Sequence, residues 1–496
     1  MRYGFIIDQT RCIGCHACTV ACKSENEVPL GTFRTWVKYV EKGSFPDTRR
    51  HFAVLRCNQC DNAPCMAICP TKALFRREDG IVDFDSSACI GCKSCMQACP
   101  YDALYIDPLS NTAAKCNYCS HRVDKGLEPA CAVVCPTQAI IPGDLDDPLS
   151  KIAQTLGRNP VQVRKPDQGT KPKVFYIGAE STLLDPRIPR DSSPMFTDPG
   201  KLKTEPADIG TTREVYDIAH EEPWGWKVWA YLWTKSIAAG VGILAAFLTL
   251  FSGEGSGWAP PALALLFLTI TAGLLIFDLK HPERFWYMLV RPNFSSWLVL
   301  GGMVITMFGL VGGVWLLSDL LEIKLHQAVF WVMLPLGGLT AGYTAFLFHQ
   351  AEGRDFWQSP LLLVHLIFEA LVCGAASLLL LEAAGLYSEP GLILEGTLGL
   401  SILFQWLVVR HELDPEHGNV DVRNAAREIL SGRFSLSFWW GVSLGGTLAP
   451  LLLLGGFFFL TGMPGWLPLV ASLLALCGAL EYGRIWIRAG QSGKLS

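Results

Sequence analysis

The chain has 496 residues, of which 50% are hydrophobic and 17% charged, with a net charge of −4 at pH 7 and a mean hydropathy of +0.29. The charged residues are unevenly distributed, with 55 in residues 1–224 and 31 in residues 225–496. This contrast excludes a single globular domain and a disordered chain, and the near-neutral balance gives no basis for nucleic-acid binding, which requires a basic face.

The first part of the chain contains 16 of the 18 cysteines, arranged in four motifs of four. Motif 1 is Cys12, Cys15, Cys18 and Cys22; motif 2 is Cys57, Cys60, Cys65 and Cys69; motif 3 is Cys89, Cys92, Cys95 and Cys99; motif 4 is Cys116, Cys119, Cys131 and Cys135. Motifs 1 and 3 have the C-x2-C-x2-C-x3-C spacing of [4Fe–4S] ferredoxins, and motifs 2 and 4 lengthen only the middle spacing. The pattern predicts four [4Fe–4S] clusters with these sixteen cysteines as ligands.

The spacing also predicts which cysteines share a cluster. Three cysteines on a tight loop can direct their sulfurs to one centre, whereas the fourth points away and can ligate a second cluster. We therefore expect Cys99 to complete the cluster of the first three cysteines of motif 2, and Cys69 to complete that of motif 3. By the same rule, Cys22 and Cys135 are exchanged between motifs 1 and 4.

Two other uses of the cysteines compete with this interpretation. Eight disulfides in a secreted scaffold would require a signal peptide, and the sequence runs from Met1 directly into the first motif. Four-thiolate zinc sites rarely show a trailing C-x3-C-P. The remaining two cysteines, Cys373 and Cys477, lie in apolar runs and are predicted to be plain apolar residues.

The cysteine-rich part carries a resemblance to a known family. Its motif spacings, together with the segments Ala114–Cys119 and His121–Cys131, resemble the four-cluster electron-transfer subunit of the dimethyl sulfoxide reductase family. Further similar segments extend the resemblance to about residue 180. The resemblance implies an α+β fold of tandem ferredoxin-like halves over residues 1–180. Lys23 stands after Cys22 where the other motifs have proline, a departure that affects no ligand.

Residues 181–224 are rich in Pro, Asp, Ser, Thr and Lys and show no sustained period, which predicts a linker over the surface of the cluster domain. The alternative is that Val215–Ile218 packs as a short ordered element. After the linker, eight apolar runs of spanning length occur, near 228–251, 258–278, 296–318, 326–348, 360–382, 391–411, 437–461 and 465–487. They predict an all-α polytopic membrane domain over residues 225–496. So many consecutive runs with so few charges oppose the alternative of buried soluble helices.

The flanking charges predict the orientation in the membrane. An even number of spans places both ends of this region on one side, and thirteen Lys and Arg residues lie on that face, against Lys324 alone on the other. Cytoplasmic loops carry the excess of Lys and Arg. We therefore expect a multi-pass protein of the inner (plasma) membrane with its cluster domain in the cytoplasm.

The loop Asp278–Trp297 is similar to the signature loop of the polysulfide reductase membrane-anchor family, and this resemblance covers roughly residues 225–490. It implies eight helices, no haem and a quinone site beside an iron–sulfur partner. Most relatives carry the two parts as separate subunits. Here both parts occur in one chain.

Ionisable residues near the cytoplasmic side predict where a quinone would bind. His365 and Glu369 are four residues apart on one helix face, and Lys235 lies at a similar depth. With His220 and Asp278, they are predicted to frame a pocket for menaquinone or ubiquinone and to relay its protons. The alternatives are a satisfied His365–Glu369 pair that only orients helices, a Lys235 that extends to the headgroups, and an Asp278 that braces its loop.

No nucleophile–base arrangement, P-loop or dinucleotide fingerprint occurs, so no catalytic residue is predicted. The expected role is electron transfer between a large molybdopterin catalytic subunit in the cytoplasm and the quinone pool of the lipid membrane. The partner would oxidise sulfite or another small donor. The alternatives are a quinol-oxidising subunit of an S-oxide, N-oxide or polysulfide reductase, and a free-standing ferredoxin–quinone reductase.

Two further rivals concern the membrane domain. It could hold b-type haem through His349, His365 and His411, although the resemblance implies that no haem is present. It could also translocate ions, for which Glu395 and His326 suggest a path towards the far side. No such path is continuous in the sequence.

Overall fold

The computed structural model describes residues 1–43, 46–188, 212–220, 222–252, 257–323, 327–388, 391–414, 418–459 and 464–496. The chain divides into two compact units, Met1–Glu221 with Lys494–Ser496, and Glu222–Gly493. The first is built of strands and short helices and the second is helical. This confirms the predicted class, an α+β domain followed by an all-α domain. The predicted boundaries at residues 180 and 224 stay predictions.

The first unit contains short sheets that hold the cysteine loops. Its strands are β1 (Tyr3–Asp8), β2 (Thr35–Lys42), β3 (Arg49–Arg56), β4 (Leu74–Arg76), β5 (Val82–Phe84), β6 (Leu104–Ile106), β7 (Ala113–Lys115), β8 (Ile140–Asp144), β9 (Val161–Gln162), β10 (Val174–Ile177) and β11 (Thr212–Tyr216). One sheet has the order β8-β1-β10-β9, with β1 and β10 parallel. A second has the order β11-β2-β3, and β4-β5 and β6-β7 are antiparallel hairpins.

Short helices carry cysteines of all four motifs. The helices of the first unit are Ala17–Glu25, Pro64–Ala67, Ser94–Ala98, Ser120–Val123, Ala130–Val133, Lys151–Arg158 and Ser181–Leu184, with a 3-10 turn at Pro166–Gln168. The β4-β5 hairpin separates motif 2 from motif 3, and the β6-β7 hairpin separates motif 3 from motif 4. Strand β1 leads into motif 1 and β8 leaves motif 4, and the two strands pair antiparallel. This pairing brings the first and last motifs together.

The predicted linker is not irregular throughout. Its residues Thr212–Tyr216 form β11, which pairs antiparallel with β2. Lys38 and Glu214, on these two strands, form an ion pair of 3.1 Å in which both side chains are 1% exposed. The pairing gives hydrogen-bond partners to backbone N–H and C=O groups of β2 that would otherwise lie unpaired at the edge of the sheet. The last part of the linker is therefore an ordered element of the first unit.

The second unit confirms the predicted membrane domain. Within the described residues, eight helices are long and apolar enough to cross a membrane. In chain order these spans are Trp226–Ser252, Ala259–Asp278, Trp297–Leu320, Ala328–His349, Leu362–Ala383, Gly391–Glu412, Ser437–Phe458 and Leu467–Gln491. Shorter helices lie between them at Tyr287–Val290 and Val420–Leu430, with 3-10 turns at Pro282–Arg284 and Asp355–Trp357.

The seventh span has an unusual backbone, and the first and fifth spans cross at glycines. The seventh span begins as a π-helix, Ser437–Leu448, and continues as an α-helix, Ala449–Phe459. The first and fifth spans approach each other closely at Gly240 and Gly374. A Cβ atom on Gly374 would lie 2.5 Å from the carbonyl oxygen of Gly240. Only glycine fits this crossing, which is typical of small-residue packing between membrane helices.

Candidate functional site

Cysteines from motifs 2 and 3 surround one cavity. Its lining includes Cys69 of motif 2 together with Cys89, Cys92 and Cys95 of motif 3. The fourth cysteine of one motif therefore joins the first three of the next. This is the arrangement that the spacing predicts for this pair of motifs.

Cysteines from motifs 1 and 4 surround a second cavity. Its lining includes Cys22, Cys116, Cys119 and Cys131, which we call the Cys131 quartet. The amide nitrogen of Asn26 lies 3.7 Å from the sulfur of Cys22 and 3.6 Å from that of Cys119. The side chain of Asn26, immediately after the motif 1 helix, thus bridges cysteines of both motifs.

For the other two predicted ligand sets, the pKa values of the cysteines indicate which thiols are neighbours. Burial raises the pKa of Cys60 to about 12, and the nearby Cys57 and Cys99 contribute to the increase. Burial also raises the pKa of Cys65 well above its ordinary value, with Cys99 as the largest charged contribution. Burial raises the pKa of Cys12, and Cys135 is the thiol that contributes most to the increase. The fourth cysteine of motif 3, Cys99, therefore lies near Cys60 and Cys65 of motif 2, and the fourth cysteine of motif 4, Cys135, lies near Cys12 of motif 1.

The cysteine loops turn because residues within them adopt left-handed backbone conformations. Gly14 and Gly91, between the first two cysteines of motifs 1 and 3, have φ of 70° and 69°. His16 and Lys93 occupy the same region at 59° and 63°, immediately before the helices that carry the next cysteines. These turns aim successive side chains towards one centre. At Gly14 the space is also restricted, since a Cβ there would clash with the ring of Phe52.

The residues fit iron–sulfur clusters. All 18 cysteines lie in described parts of the chain, and none forms a disulfide. Buried thiols must lose their protons to act as ligands, and burial opposes this, raising the pKa of Cys92 and of Cys116 to about 12 each. Bound iron would supply the positive charge that reverses this effect. A buried arginine, Arg56, already donates from Nη1 to the sulfur of Cys131 over 3.1 Å.

His220, a predicted quinone-site residue, belongs to the first unit. Its Nδ1 lies 2.6 Å from a carboxylate oxygen of Asp102, and its Nε2 lies 2.9 Å from the hydroxyl of Ser496. Burial disfavours the charged ring, but the hydrogen bond and charge of Asp102 outweigh it and raise the pKa of His220. Asp102 follows Cys99 by three residues, so the histidine lies next to a cysteine-bearing turn.

Lys235, on the first span, is fully buried at 0% exposure. Its ammonium group donates to the carbonyl oxygen of Ala341 and to the hydroxyl of Thr344, each over 2.6 Å, and lies 5.2 Å from the ring centre of Tyr343. All three partners are on the fourth span. Lys235 therefore does not extend to the headgroups, and that alternative is wrong.

The neighbouring residues continue this buried polar network. The hydroxyl of Ser236 donates to Glu369 over 3.3 Å. Glu369 lies 4.0 Å from Nε2 of His365, whose Nδ1 lies 2.9 Å from Glu412 on the sixth span. The ring of Tyr482, on the eighth span, stacks on His365 with the ring centres 5.2 Å apart. We call Lys235, Ser236, His365, Glu369 and Glu412 the membrane polar network.

Three of the five predicted quinone-site residues thus come together, namely Lys235, His365 and Glu369. Asp278 is the last residue of the second span, whose end is held by a hydrogen bond from Lys227 to the carbonyl oxygen of Phe277. The carboxylate oxygen Oε1 of Glu412 and the hydroxyl oxygen of Tyr482 are buried, and neither has a hydrogen-bond partner within the described residues. These orphan atoms mark where a bound molecule could be recognised.

The geometry also bears on the rival roles. Both ring nitrogens of His365 face carboxylates, so a haem iron would have to displace one of them. Nδ1 of His349 lies 2.8 Å from the carbonyl oxygen of Ala345 on its own helix. Glu395 is buried in the sixth span, and His326 lies outside the described residues.

Comparison with known families identifies both parts of the chain. Residues 9–27 match a 4Fe-4S binding domain, and residues 49–145 match a 4Fe-4S dicluster domain. Residues 214–492, more than half of the chain, match the family described as polysulphide reductase, NrfD. The chain belongs to the polysulphide reductase NrfD family. The NrfD-type membrane domain and an iron–sulfur domain are fused in one polypeptide, as the two resemblances implied.

Several known proteins are similar to the iron–sulfur part of this NrfD-family chain. The B subunit of tetrathionate reductase of Salmonella typhimurium is 46% identical over 193 residues, which are 38% of this chain and 77% of the relative. The B component of polysulfide reductase of Wolinella succinogenes is 46% identical over 181 residues, 36% of this chain and 94% of the relative. The arsenate respiratory reductase iron-sulfur protein ArrB of a Shewanella species is 35% identical over 225 residues, 36% and 96% of the two chains.

Several residues of these sites were not predicted from the sequence, among them Glu412 and Arg56. Glu412 ends the sixth span beside His411, at the depth of His365, and this depth is the signal that could have identified it. Arg56 ends β3 immediately before Cys57, and only the fold brings it to Cys131 of motif 4.

Proposed function

We propose that the chain is the electron-transfer and membrane-anchor subunit of an oxidoreductase complex. It passes electrons through four [4Fe–4S] clusters between a large molybdopterin catalytic subunit in the cytoplasm and the quinone pool of the inner membrane. The observation that carries the proposal is the assembly of cysteine quartets from different motifs, in a chain whose described residues also include eight helices long and apolar enough to cross a membrane. Bound clusters would supply one-electron carriers, and the protein supplies their ligands and surroundings.

The ligand exchange is part of this proposal. Cys22 completes the Cys131 quartet, and Cys69 completes the set of Cys89, Cys92 and Cys95; the two cavity linings support both assignments. Cys99 completes the set of motif 2 and Cys135 that of motif 1, which the mutual influence of these thiols supports. Exchange of this kind is expected of paired ferredoxin motifs.

The membrane polar network is proposed to serve quinone chemistry. Reduction of a quinone takes up two protons, and carboxylates and imidazoles in a spanning helix are suited to deliver them. His365 is oriented by Glu412 and can exchange a proton with Glu369, and the amino group of Lys235 is buried on the first span, which crosses the span of His365 and Glu369. Asp278 is proposed as a further group of this pocket. The assignment of His220 to it stays a prediction.

The side of the membrane and the direction of electron flow are inferred from separate observations. The excess of Lys and Arg on one face of the spans supports a cytoplasmic cluster domain, which suits a partner that oxidises sulfite or another small donor. The similarity to subunits of a tetrathionate reductase and a polysulfide reductase supports the opposite direction, in which quinol is oxidised for a sulfur-compound reductase. A free-standing ferredoxin–quinone reductase is the third candidate.

Cofactor content and quinone coupling can be tested on the purified full-length chain in proteoliposomes. We expect about sixteen iron atoms per polypeptide, four for each cluster, no Soret band from haem, and reduction of the clusters by added menaquinol or ubiquinol. Substantially fewer iron atoms would refute the cluster count. Cluster signals that never respond to any quinol or quinone would refute the membrane role.

Partner and orientation need native membranes. We expect a large molybdopterin-containing protein to copurify with the chain, and the amino-terminal part to resist protease added to intact cells but not to inverted vesicles. Purification without such a protein would favour the free-standing reductase. Digestion of the amino-terminal part in intact cells would refute the cytoplasmic assignment.

A further inference from the structure

A fully buried arginine stands beside the Cys131 quartet. Arg56 is the last residue of β3 and is 0% exposed. Its guanidinium group lies 4.4 Å from the ring centre of Phe5, and its Nη1 donates to the sulfur of Cys131 over 3.1 Å. Arg56 and all four cysteines of the quartet line the same cavity.

The other two nitrogens of this guanidinium group find no acceptor in the described parts of the chain. Its Nε and Nη2 are buried and lack a hydrogen-bond partner among the described residues. The same part of the chain offers Arg56 no carboxylate within ion-pair distance, whereas the buried Lys38 has Glu214. A buried cation without a counter-charge is costly, so the fold retains it only if something negative occupies the adjacent space.

The cysteine thiolates and the cluster that they would hold provide that negative charge. Cys18, which belongs to the neighbouring ligand set, is also within the electrostatic reach of Arg56. A [4Fe–4S] cluster with four thiolates carries net negative charge, which increases by one when an electron is added. Hydrogen bonds to the sulfurs and the net charge of the surroundings are what set the reduction potentials of such clusters.

We propose that Arg56 raises the reduction potential of the cluster held by Cys22, Cys116, Cys119 and Cys131, through its fixed charge and its N–H donors to the cluster sulfurs. This inference rests on the proposed function, because it requires that cluster to be present. One electron is added and no covalent bond forms or breaks. The guanidinium group keeps its protons throughout because arginine is not deprotonated at any working pH. Arg56 would make this cluster easier to reduce than a quartet without a buried cation.

The test is a redox titration of the full-length protein followed by EPR, in wild type, Arg56→Gln and Arg56→Lys. In Arg56→Gln we expect one cluster to become harder to reduce by at least tenfold in its one-electron equilibrium, which is about 59 mV. Arg56→Lys keeps the charge and should shift less. The control is Arg50→Gln on the same strand, where the side chain is 49% exposed and the charge is screened by water. Four potentials unchanged in Arg56→Gln would overturn the proposal.

A second measurement decides the matter if the glutamine variant loses its cluster. Wild-type protein labelled with ¹⁵N-arginine should show hyperfine coupling between a guanidinium nitrogen and one reduced cluster, and labelled Arg56→Lys should lack it. No coupling in wild type, or the same coupling in the variant, would overturn the proposal. Iron analysis of the wild type separates this inference from the proposed function. A full complement of iron with no effect of Arg56 would refute only the inference, and a shortage of iron would refute the cluster count.

Discussion

The close crossing of the first and fifth spans allows the membrane polar network to be perturbed without changing any of its polar atoms. In Gly374→Ala, the new Cβ would lie 2.5 Å from the carbonyl oxygen and 2.6 Å from the Cα of Gly240. Both are backbone atoms, so no flexible side chain can move aside. Ordinary contact requires about 3.5 Å, and the two spans must therefore separate by roughly 1 Å at this level.

The magnitude follows from the neighbouring hydrogen bond. Ser236 and Glu369 lie near the crossing on the same two helices, and their bond is already 3.3 Å long. A separation of roughly 1 Å takes it beyond any useful hydrogen-bond length. Overpacking of this kind costs about 1–3 kcal/mol. We expect Gly374→Ala to unfold at lower temperature and to exchange electrons with quinol more slowly, while its EPR signals from the iron–sulfur domain are unchanged.

The matched control is Gly338→Ala on the fourth span, where a Cβ would meet nothing within 4 Å. Both variants replace glycine by alanine inside a helix, so the gain in helix propensity cancels in the comparison. The assay measures thermal unfolding and the rate of cluster reduction by quinol in proteoliposomes. If the two variants behave alike in both measurements, the crossing does not control the polar network.

Three further predictions concern single residues. Cys99→Ser should abolish the EPR signal of the cluster of motif 2 and spare that of its own motif; loss of the motif 3 signal instead would contradict the exchange. Glu369→Gln should slow quinone turnover with intact cluster signals, whereas Glu395→Gln, a buried carboxylate of the sixth span, should not; equal rates would remove Glu369 from the site. Asp102 raises the pKa of His220 in the folded state. The stability that the His220–Asp102 interaction contributes is therefore complete below the ordinary histidine pKa of about 6.5, and it is lost as the pH rises through the pKa of His220 in the folded state. The stability difference between wild type and His220→Gln should therefore shrink as the pH rises above about 6.5 in unfolding experiments, and a difference that does not change with pH would contradict this reasoning.

The spans were predictable because hydrophobic length is a local property of the sequence. The run near 258–278 appears as Ala259–Asp278, and that near 360–382 as Leu362–Ala383. Hydropathy gives length but not the hydrogen-bonding pattern inside a helix. The π-helix Ser437–Leu448 was therefore not expected, although the span containing it was.

Partners distant in sequence were harder to predict. The i, i+4 spacing correctly placed His365 and Glu369 on one face, yet the shorter contact of His365 is with Glu412 on the next span. That contact depends on how two helices rotate against each other, which a linear sequence does not specify. Strand β11 was placed in the linker for the same reason. Its partner β2 lies about 170 residues earlier, and the composition of the linker does not indicate that the two strands pair.

The cysteine motifs combine both cases. Regular spacing is local and identified all sixteen candidate ligands, and it also predicted the exchange between motifs. The buried arginine next to the Cys131 quartet is not part of any motif, because β3 delivers it from outside the cysteine loops. Sequence spacing thus identifies the ligands of a cluster but not the residues that adjust its properties without being ligands.

The fusion of the two parts has a consequence for how the protein behaves when it is diluted. Separate subunits dissociate at low concentration, and their joint activity then depends on an affinity. Here each electron-carrying domain has one membrane domain tethered to it, so their encounter is unimolecular and its effective concentration is set by the chain alone. The rate of electron transfer between the two domains, per polypeptide, should remain constant over any dilution in detergent that leaves the polypeptide folded.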